Sequence, residues 1–515
     1  MPRLRLNAAL TFVLVALSGA ALALAFPEPG VGPLAWIAIA PLLALAAGES
    51  VGRGARLGFV FGLVFFGALL HWISIIGFLG WIALVLLQAL FLGLLGALWA
   101  VLSRLGGAGA RIGMAAAAWV AIEFFRSLVP VGGFTWGQLA QSQTEFDWLL
   151  PVAAIGGGWL VAAFVVGLNA ALVEIVTYAR SHARPQVVPG LVLLALLVVP
   201  VVVPDREAVG EPLTVAIVQG NVPQDFTGPY FEKELQILGS HLQITEELGP
   251  REPDLVIWPE SSVGMDLTTN EDAQRAVSSA AQAVDAPMII GGNIDLKGDR
   301  YKVVAFHVDE TGEIVDVYEK THLVPFGEYV PARNVFGWIP ALERVPRDAI
   351  AADEPAVFGI GAGVAPVISF EGDFGSLVRK PIAEGGRLLV VATNTSTWGR
   401  SWASAQHVAF SQVRAVENGV WVAHAALSGI SAFIAPDGEI VDSTSLWTAT
   451  ELIDEVRFAT SITLYARYGD WFPLLCVLVA LVGVALGLRR RRPETGAAGP
   501  ERRPAPESGP VDSRL

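Results

Sequence analysis

The sequence predicts a multi-pass α-helical membrane bundle of about eight helices joined to an α/β domain. Two observations predict this fold class. Of the 515 residues, 53% are hydrophobic and 16% are charged, whereas a soluble globular protein carries roughly 25% charged residues. The charge is also unevenly placed. Long uncharged runs alternate with short basic stretches as far as about Val203, a segment of soluble-type composition continues to Asp470, and a last apolar run ends at Arg489.

Eight apolar runs are candidates for membrane spans, which need about 20 residues. The runs are Asn7–Phe26, Gly32–Ala47, Leu57–Phe78, Leu79–Leu102, Ile112–Pro130, Ile155–Tyr178, Val187–Val203 and Trp471–Leu488. The uncharged stretch 57–103 is too long for one span, so we divide it near Gly77–Gly80. The chain is then expected to form a membrane domain of about seven helices over 1–204, an α/β domain over 205–470, a membrane helix over 471–488 and a disordered cytoplasmic tail over 489–515.

Basic residues cluster between these runs, and their placement predicts the orientation of the bundle. The clusters are Arg3 and Arg5, Arg53 and Arg56, Arg104 and Arg111, Arg180 and Arg184, and the arginine quartet 489–492. With eight crossings all of them fall on one face, which the positive-inside rule makes cytoplasmic. The α/β domain then lies outside the cytoplasm. The first run also resembles a cleavable signal peptide, but its apolar core is longer than usual, so we expect an uncleaved helix.

Composition excludes several classes of site and partner. The single cysteine, Cys476, rules out an intramolecular disulfide and any metal site built from several cysteines. The net charge of −14 argues against nucleic-acid binding. Nothing in the sequence indicates a homo-oligomer, so we expect a monomer.

Polar and aromatic residues mark the outer end of the bundle. Glu123 and Arg126 lie three apart in the fifth run and share a helix face, where they form either a mutual ion pair or a lipid-headgroup contact. The loop Gly133–Gly137, which contains Trp136, mixes glycine with aromatic residues and suits the membrane interface. Trp398 in the later segment either reaches lipid in the same way or packs in a core.

Strands and helices alternate in the α/β domain, and hairpins interrupt the alternation. The predicted strands are Leu213–Gln219, Leu255–Trp258, Met288–Gly291, Val303–Val308, Glu313–Tyr318, Pro366–Ile368, Leu388–Ala392 and Val420–Ala425. Helical patterns occupy residues 231–248, 270–286 and 405–418, and turn signals at 309–312 and 436–438 indicate hairpins. These patterns predict mixed sheets covered by helices.

Three polar side chains follow predicted strands directly. Glu260 follows the strand ending at Trp258, Lys320 follows the one ending at Tyr318, and Ser369 follows Ile368. Groups at the ends of strands converge on one edge of a sheet. A carboxylate that takes a proton from a nucleophile and an ammonium that holds the resulting negative charge would form an acyl-transfer site. Glu328 and Glu371 place further acids nearby in the sequence.

The motifs around these residues resemble the nitrilase superfamily and, within it, the bacterial apolipoprotein N-acyltransferases. The motifs are Val218–Gln224, Trp258–Ser261, Tyr318–Pro331, Ile368–Glu371, the bundle loop Gly133–Gly137 and Tyr468–Trp471. The likeness covers nearly all of residues 10–488. The stretch from Lys320 to Glu328 is the specific part of it, because Trp-Pro-Glu alone is a weak signal.

This resemblance implies a fold, a reaction and a set of site residues. The fold would be an α-β-β-α sandwich on eight helices of a bacterial inner membrane, with the sandwich outside the cytoplasm. An acyl chain would pass from a phospholipid to the enzyme nucleophile and then to the α-amine of the diacylglyceryl-cysteine of a lipoprotein, without metal or cofactor. Glu260 would be the general base, Lys320 would stabilise charge, position 369 would be the nucleophile, and Glu328, Glu371 and Phe370 would support them. The substrate- and lipid-binding candidates are Trp136, Phe226, Asn394 and Trp398.

Position 369 departs from the family, which has a cysteine there. A thiol is a few per cent thiolate at neutral pH and is a strong nucleophile, whereas a hydroxyl needs a stronger base than one glutamate. We therefore expect little or no acyl transfer from Ser369. The serine is a designed substitution, a mark of an inactive or repurposed relative, or part of a working serine variant. Two other functions stay open: non-catalytic binding of lipid or lipoprotein, and a membrane-bound amidase of nitrilase type.

Overall fold

The computed structural model describes residues 7–181, 187–203 and 208–489. The first part is a helical bundle with helices α1 (Ala8–Ala23), α2 (Ala35–Ala38), α3 (Ala40–Ala46), α4 (Val51–Leu69), α5 (Ile73–Ile76), α6 (Phe78–Leu102), α7 (Ala108–Arg126), α8 (Ala153–Gly156), α9 (Gly158–Ser181) and α10 (Val187–Val202). Arg3, Arg5, Arg184 and the tail from residue 490 onward, which the sequence predictions invoke, lie outside the described residues.

Helices form in all eight predicted apolar runs, but they differ in length. Within the described residues, five helices are long and apolar enough to cross a membrane: α4, α6, α7, α9 and the C-terminal helix Trp471–Arg489. The remaining three runs form shorter apolar helices, over Ala8–Ala23, Gly32–Ala46 and Pro189–Val202. The prediction of a helical bundle is confirmed, and several boundaries shift. The third helix, for example, ends at Leu69 rather than at Phe78.

The second run is broken between α2 and α3, and Asn169 of α9 holds the break. Pro41 lies in the first turn of α3, where its missing N–H removes no intrahelical hydrogen bond. The Asn169 side-chain oxygen accepts hydrogen bonds from Ile39 N at 3.0 Å and from Ala40 N at 2.9 Å. Its amide nitrogen donates to Ala35 O at 2.8 Å. One buried amide thus satisfies backbone groups that the break would otherwise leave unpaired inside the bundle.

Helices α4 and α6 approach each other closely along a stripe of glycines. Gly54, Gly58 and Gly62 recur every four residues on α4 and so lie on one helix face. A Cβ atom on Gly54 would lie 2.4 Å from Gly96 O, and one on Gly58 would lie 2.0 Å from Leu92 O. Small residues of this kind allow close backbone contact between membrane helices.

The α/β part of the chain, residues 208–470, contains two stacked sheets, and we call it the outer domain after the orientation predicted from the sequence. Its strands are β1 (Pro212–Gln219), β2 (Leu255–Trp258), β3 (Met288–Leu296), β4 (Arg300–Val308), β5 (Ile314–Glu319), β6 (Asp348–Ala349), β7 (Val364–Ile368), β8 (Leu388–Thr393), β9 (Trp421–Ala426), β10 (Ala432–Ile434), β11 (Ile440–Ser443) and β12 (Thr450–Arg457). The first sheet has the order β12-β1-β2-β3-β4-β5 with β6 beside β4, and the second has the order β11-β10-β9-β8-β7.

Helices cover both outer faces of the two sheets. The first sheet is covered by α11 (Tyr230–Leu248) and α12 (Glu271–Val284), and the second by α14 (Gly375–Ala383), α15 (Ala403–Asn418) and α16 (Leu464–Tyr468). The short helix α13 (Arg333–Phe336) lies in the loop after β5 and has no buried residue, and α17 (Trp471–Arg489) returns to the bundle. Alternate residues of each strand face opposite sides. Ile217 and Ile257 pack in the core between the sheets, whereas Val218 and Trp258 pack against α11 and α12. The domain is therefore the predicted α-β-β-α sandwich, and both predicted hairpins are present.

The directions of the strands bring the ends of β2 and β5 to the same edge of the first sheet. Strands β2 and β3 are parallel, and β4 is antiparallel to both β3 and β5, so β2 and β5 run in the same direction. Strands β7, β8 and β9 of the second sheet are also parallel to one another. The residues that follow β2 and β5 consequently share one edge of the first sheet, next to the ends of β7 and β8.

Candidate active site

A buried lysine between two carboxylates forms the centre of the site. Lys320, which follows β5, is 1% exposed. Its Nζ donates to Glu328 Oε1 at 2.6 Å and to Glu260 Oε1 at 3.2 Å. The second oxygen of Glu328 accepts a hydrogen bond from Val324 N at 2.6 Å, which fixes that side chain to the loop after Lys320. The structure thus brings together Glu260 and Lys320, which lie 60 residues apart in the sequence.

Burial and charge act in opposite directions on this pair. Burial by itself lowers the pKa of the Lys320 ammonium, but the carboxylates of Glu260 and Glu328 outweigh it and raise the pKa. Burial raises the pKa of the Glu260 carboxyl, and the Lys320 charge only partly opposes it, while Glu328 adds to the rise. A carboxylate whose pKa lies nearer neutrality exchanges a proton more readily at neutral pH. The lysine stays charged and the glutamate is placed to accept and return a proton.

Ser369 lies at a sharp turn between β7 and α14. It is the first residue of the 3-10 turn Ser369–Asp373, its φ is 51°, and it is 7% exposed. Residues other than glycine rarely adopt this left-handed backbone conformation, because it is strained and the surrounding structure must enforce it. Such residues concentrate at functional sites. The geometry has the character of a nucleophile elbow, in which a strained turn presents a reactive side chain.

The end of β8 connects Ser369 with Glu260. Thr393 Oγ1 donates to Ser369 Oγ at 3.1 Å, and the next residue, Asn394, donates its backbone N–H to Glu260 Oε2 at 2.9 Å. The three predicted reactive groups therefore meet at one place. Thr393 was not among the sequence candidates, because a threonine at the end of a strand carries no distinctive signal. Asn394 acts here through its backbone, and its side-chain oxygen accepts from Ser396 N at 3.1 Å.

Glu371 connects the segment around Lys320 with the strand that precedes Ser369. This fully buried carboxylate accepts hydrogen bonds from the Tyr318 hydroxyl at 2.8 Å, from Thr321 N at 2.8 Å and from His322 N at 3.1 Å. Its second oxygen accepts from Ile368 N at 2.8 Å. These donors come from the segment around Lys320 and from the residue preceding Ser369. The side chain is saturated with donors, so its contacts position the site.

Phe370 and His322 form the wall of the site that faces the bundle. The Phe370 ring stacks on His322 with centroids 5.7 Å apart and an angle of 24°, and both rings contact Phe374. A Cβ atom on Gly132 of the bundle loop would lie 2.7 Å from His322 Cε1. Burial and the Lys320 charge lower the pKa of His322. The neutral imidazole therefore fits closely against the backbone of the bundle loop.

Trp136 and Trp398 belong to an aromatic cluster between the bundle and the outer domain. Their centroids are 5.5 Å apart, and each lies 4.9 Å from the ring of Trp72. Trp136 is buried, and its Nε1 donates to Gln406 Oε1 at 2.6 Å. Of the two alternatives for Trp398, lipid contact and packing in a core, the structure shows packing, and Trp136 packs in the same cluster. Phe226 is half-buried in the loop before α11, and no ring contact connects it to the site within the described residues.

Glu123 and Arg126 bind the loop that carries Trp136. Arg126 is buried, and its Nη1 donates to Phe134 O at 2.9 Å and to Trp136 O at 2.7 Å. Glu123 Oε1 accepts from Leu139 N at 3.0 Å. Among the described residues, the two side chains form no ion pair with each other within 4 Å, so that alternative is wrong, and each binds backbone groups of this loop instead. Glu123 Oε2 and Arg126 Nη2 have no hydrogen-bond partner in the described part of the chain, and the lipid-headgroup contact stays a prediction.

Two family models match the chain. One described as the apolipoprotein N-acyltransferase N-terminal domain matches residues 18–171, and one described as carbon-nitrogen hydrolase matches residues 214–466. The apolipoprotein N-acyltransferase of Geobacter metallireducens is 34% identical, over 93% of this chain and 96% of its own length. The chain belongs to the apolipoprotein N-acyltransferase family. The family and superfamily expected from the sequence motifs are thus confirmed.

A second relative and one solved structure are also similar to this chain. The apolipoprotein N-acyltransferase of Mycolicibacterium smegmatis is 32% identical, covering 91% of this chain and 83% of that protein. Among solved structures, an amidase from Nesterenkonia sp. matches with 18% identity and a TM-score of 0.37, over 48% of this chain and 91% of the amidase chain.

Proposed function

We propose that this chain carries out the family's reaction through Glu260, Lys320 and the side chain of residue 369, moving an acyl chain from a phospholipid to the α-amine of a lipoprotein's N-terminal diacylglyceryl-cysteine. The observation that carries the proposal is the bridging position of Glu260. One of its oxygens accepts from Lys320 Nζ, and the other accepts from the backbone of residue 394, next to the threonine that holds Ser369 Oγ.

The groups at the site suit both halves of such a reaction. In the first half, Oγ of residue 369 attacks the ester carbonyl carbon while its proton passes to Glu260, and Lys320 Nζ stabilises the oxyanion. The ester C–O bond then breaks, and Glu260 returns the proton to the departing alcohol of the lysophospholipid. In the second half, the neutral α-amine attacks the acyl-enzyme, its proton passes through Glu260 to the released Oγ, and an amide remains.

The surroundings of the site support a lipid donor and a lipidated acceptor. Five helices long and apolar enough to cross a membrane would hold the outer domain beside the bilayer, and Arg344 Nη1 donates to Ile76 O of the bundle at 2.7 Å. We propose that the domain faces the outside of a bacterial inner membrane and that the protein acts as a monomer. Arg104 Nη2 donates to Gly48 O at 3.1 Å, so two predicted cytoplasmic loops meet at one end of the bundle. This arrangement supports the orientation.

Serine at position 369 is expected to slow the first half of the reaction. Unlike a thiol, a serine hydroxyl is not appreciably ionised at neutral pH. The side chain that hydrogen-bonds to Ser369 Oγ is the Thr393 hydroxyl, which is not a base. We propose that Ser369→Cys raises the turnover by about 100-fold or more, in the range that an activated nucleophile and its base contribute.

The test is acyl transfer from phospholipid to a diacylglyceryl peptide by purified full-length protein in detergent. Parent and Ser369→Cys are compared, together with Ser369→Cys carrying Glu260→Gln or Lys320→Met. Each second substitution should lower the turnover, relative to Ser369→Cys alone, by roughly 10²–10³-fold. Mass spectrometry should find an acyl adduct on residue 369 in the Ser369→Cys protein. Equal turnover by parent and Ser369→Cys would refute the proposed effect of the serine.

Ser369 also favours a second candidate function, the non-catalytic binding of lipid or lipoprotein. The same experiment separates the two. A parent protein that binds the diacylglyceryl peptide, while neither it nor Ser369→Cys forms an adduct or a product, would identify a binding protein.

A further inference from the structure

A second buried acid lies in the same turn as Ser369. Asp373 is the last residue of the turn Ser369–Asp373, and it is fully buried. His407 Nε2 of α15 lies 3.3 Å from Asp373 Oδ1. Among the described residues, neither carboxylate oxygen accepts a hydrogen bond of good geometry, and His407 is the only basic side chain within 4 Å. Burial raises the pKa of the Asp373 carboxyl, and the imidazole of His407 partly opposes the rise. A buried acid without other donors depends strongly on its single partner.

His407 is held in turn by aromatic rings from the bundle loop and its neighbours. Its ring stacks on Trp136 with centroids 6.3 Å apart and an angle of 7°, and it meets the edge of Trp398 at 5.4 Å. His424 lies behind it at 5.0 Å, and burial together with His407 lowers the pKa of His424 well below its usual value. The neighbouring residue, Gln406, accepts a hydrogen bond from the Trp136 indole at 2.6 Å.

Helix α15 also contacts the start of α14, two residues after the turn. Arg414 is seven residues after His407 and therefore lies on the same helix face. A Cβ atom on Gly375, the first residue of α14, would lie 2.1 Å from Arg414 Nη1, so the guanidinium fills the space beside that glycine. Arg414 Nη1 also lies 2.9 Å from Glu417 Oε2, and Glu417 Oε1 accepts from Gly158 N of the bundle at 2.7 Å. The same helix thus contacts both the turn and the bundle.

We propose that Asp373 and His407 are positioning residues that connect the turn carrying residue 369 to the membrane bundle through the ring of Trp136. The strained φ of Ser369 must be enforced by its surroundings, and Asp373 anchors the other end of the same turn. Arg126 of α7 fixes the carbonyl of Trp136 at 2.7 Å, so the connection continues into a membrane helix. The position of the nucleophile therefore depends on the docking of the bundle loop.

This inference rests on the proposed function for its importance, but its test does not require acyl transfer. In a Ser369→Cys, Cys476→Ala background the thiol at position 369 is the only one, and its alkylation by iodoacetamide reports how the turn presents it. His407→Gln and His407→Asn form a matched pair. The longer glutamine amide can reach the place of Nε2 and donate to Asp373, and the shorter asparagine amide cannot.

We expect His407→Asn and Asp373→Ala to slow alkylation and to lower kcat by about 10–100-fold, as displacement of a reacting atom does. The KM for phospholipid should stay within about twofold, because substrate binding is untouched. His407→Gln should retain most of the reactivity. Trp136→Leu should slow alkylation, and Trp136→Phe should slow it less. His307→Gln changes a buried histidine that packs on Phe358 elsewhere and should have no effect.

Coupling between the two residues gives a further criterion. The double variant of Asp373→Ala and His407→Asn should be no slower than the slower single variant, because both changes break one contact. Rates are taken per folded molecule after size-exclusion chromatography, so a loss of stability alone does not mimic the effect. The inference is overturned if the single variants alkylate at the parent rate, if their losses multiply, or if Trp136→Leu has no effect. If instead the proposed function is wrong, no acyl transfer will be seen in any variant, but the alkylation rates will still follow this pattern.

Discussion

Two buried glutamates of the site differ in how their oxygens are used. Glu260 has one contact with an ammonium and one with a backbone amide, and burial raises the pKa of its carboxyl. Glu371 is filled by hydrogen bonds from the Lys320 segment and from the strand that precedes Ser369. The first arrangement allows proton exchange, and the second fixes two segments in place. Sequence spacing alone does not distinguish these roles, because both acids follow strand ends.

This difference predicts a large effect of Glu371→Gln on stability. The substitution keeps the size of the side chain but replaces an acceptor oxygen with an NH₂ group that faces N–H and O–H donors. We expect a loss of about 3 kcal/mol or more, as for a broken buried charged hydrogen-bond network. Thermal unfolding in detergent measures it. Glu319→Gln is the control, since Glu319 forms a partly exposed pair with Lys302, and such pairs contribute about 1 kcal/mol or less. Similar shifts in Tm for the two variants would contradict the assignment.

Among the helices, the contact between α4 and α6 shows how the positions of small residues determine which helix faces pack together. Beyond Arg53 and Arg56 near the start of α4, both helices are almost entirely apolar, so a hydrophobic face does not select their contact in lipid. The glycines of α4 select it, because their backbone can approach α6 to a distance that no larger residue permits. The predicted spans at 57–78 and 79–102 located two helices, but the tight contact between them appears only when the two glycine-bearing faces are seen together.

This contact predicts opposite outcomes for two glycine substitutions in the same helix. Gly58→Ala should destabilise the protein by about 1–3 kcal/mol, because the added carbon overlaps Leu92 O. Gly52→Ala, near the start of α4 and with no neighbouring atom within 4 Å, should be neutral or stabilising by up to about 1 kcal/mol. The Tm values of the two variants in one detergent provide the comparison. Stabilisation by Gly58→Ala would show that the helices do not pack in this way.

In the whole molecule, the outer domain rests on one end of the bundle through buried polar contacts. Gly158 N donates to Glu417 at 2.7 Å, and Trp159 Nε1 donates to Asp470 at 2.9 Å. The described basic loops around Arg53 and Arg104 meet at another part of the bundle, where Arg104 binds the carbonyls of Gly48 and Glu49. This arrangement couples the site to the bundle, and the meeting of the two basic loops supports the proposed orientation.

The orientation can be tested by labelling single cysteines in a Cys476→Ala background. Glu310→Cys lies in the exposed hairpin between β4 and β5, and Gly52→Cys lies at the exposed start of α4. A membrane-impermeant maleimide should label the first in intact spheroplasts and the second only after permeabilisation, because basic loops stay in the cytoplasm. The reverse pattern would invert the proposed topology.

Local sequence patterns were sufficient to predict the classes of element and the three strand ends that carry polar side chains. Apolar runs, strand patterns and turn signals are local, so they predicted the bundle, the layered domain and the strand ends at Glu260, Lys320 and Ser369. Family motifs then supplied a function. The predictions of the bundle and of the layered domain were possible because each depends on residues within about one helix or strand length of one another.

Contacts between side chains from distant parts of the chain could not be predicted from the sequence and are seen first in the folded structure. Thr393 beside Ser369, Asp373 beside His407 and Arg126 beneath Trp136 are pairs whose members lie in different elements or on different sides of a turn. Their contacts depend on sheet order, strand register and the docking of α15 on the bundle. None of these is encoded in local spacing, because a buried polar side chain is recognised by its partner rather than by its neighbours in the sequence.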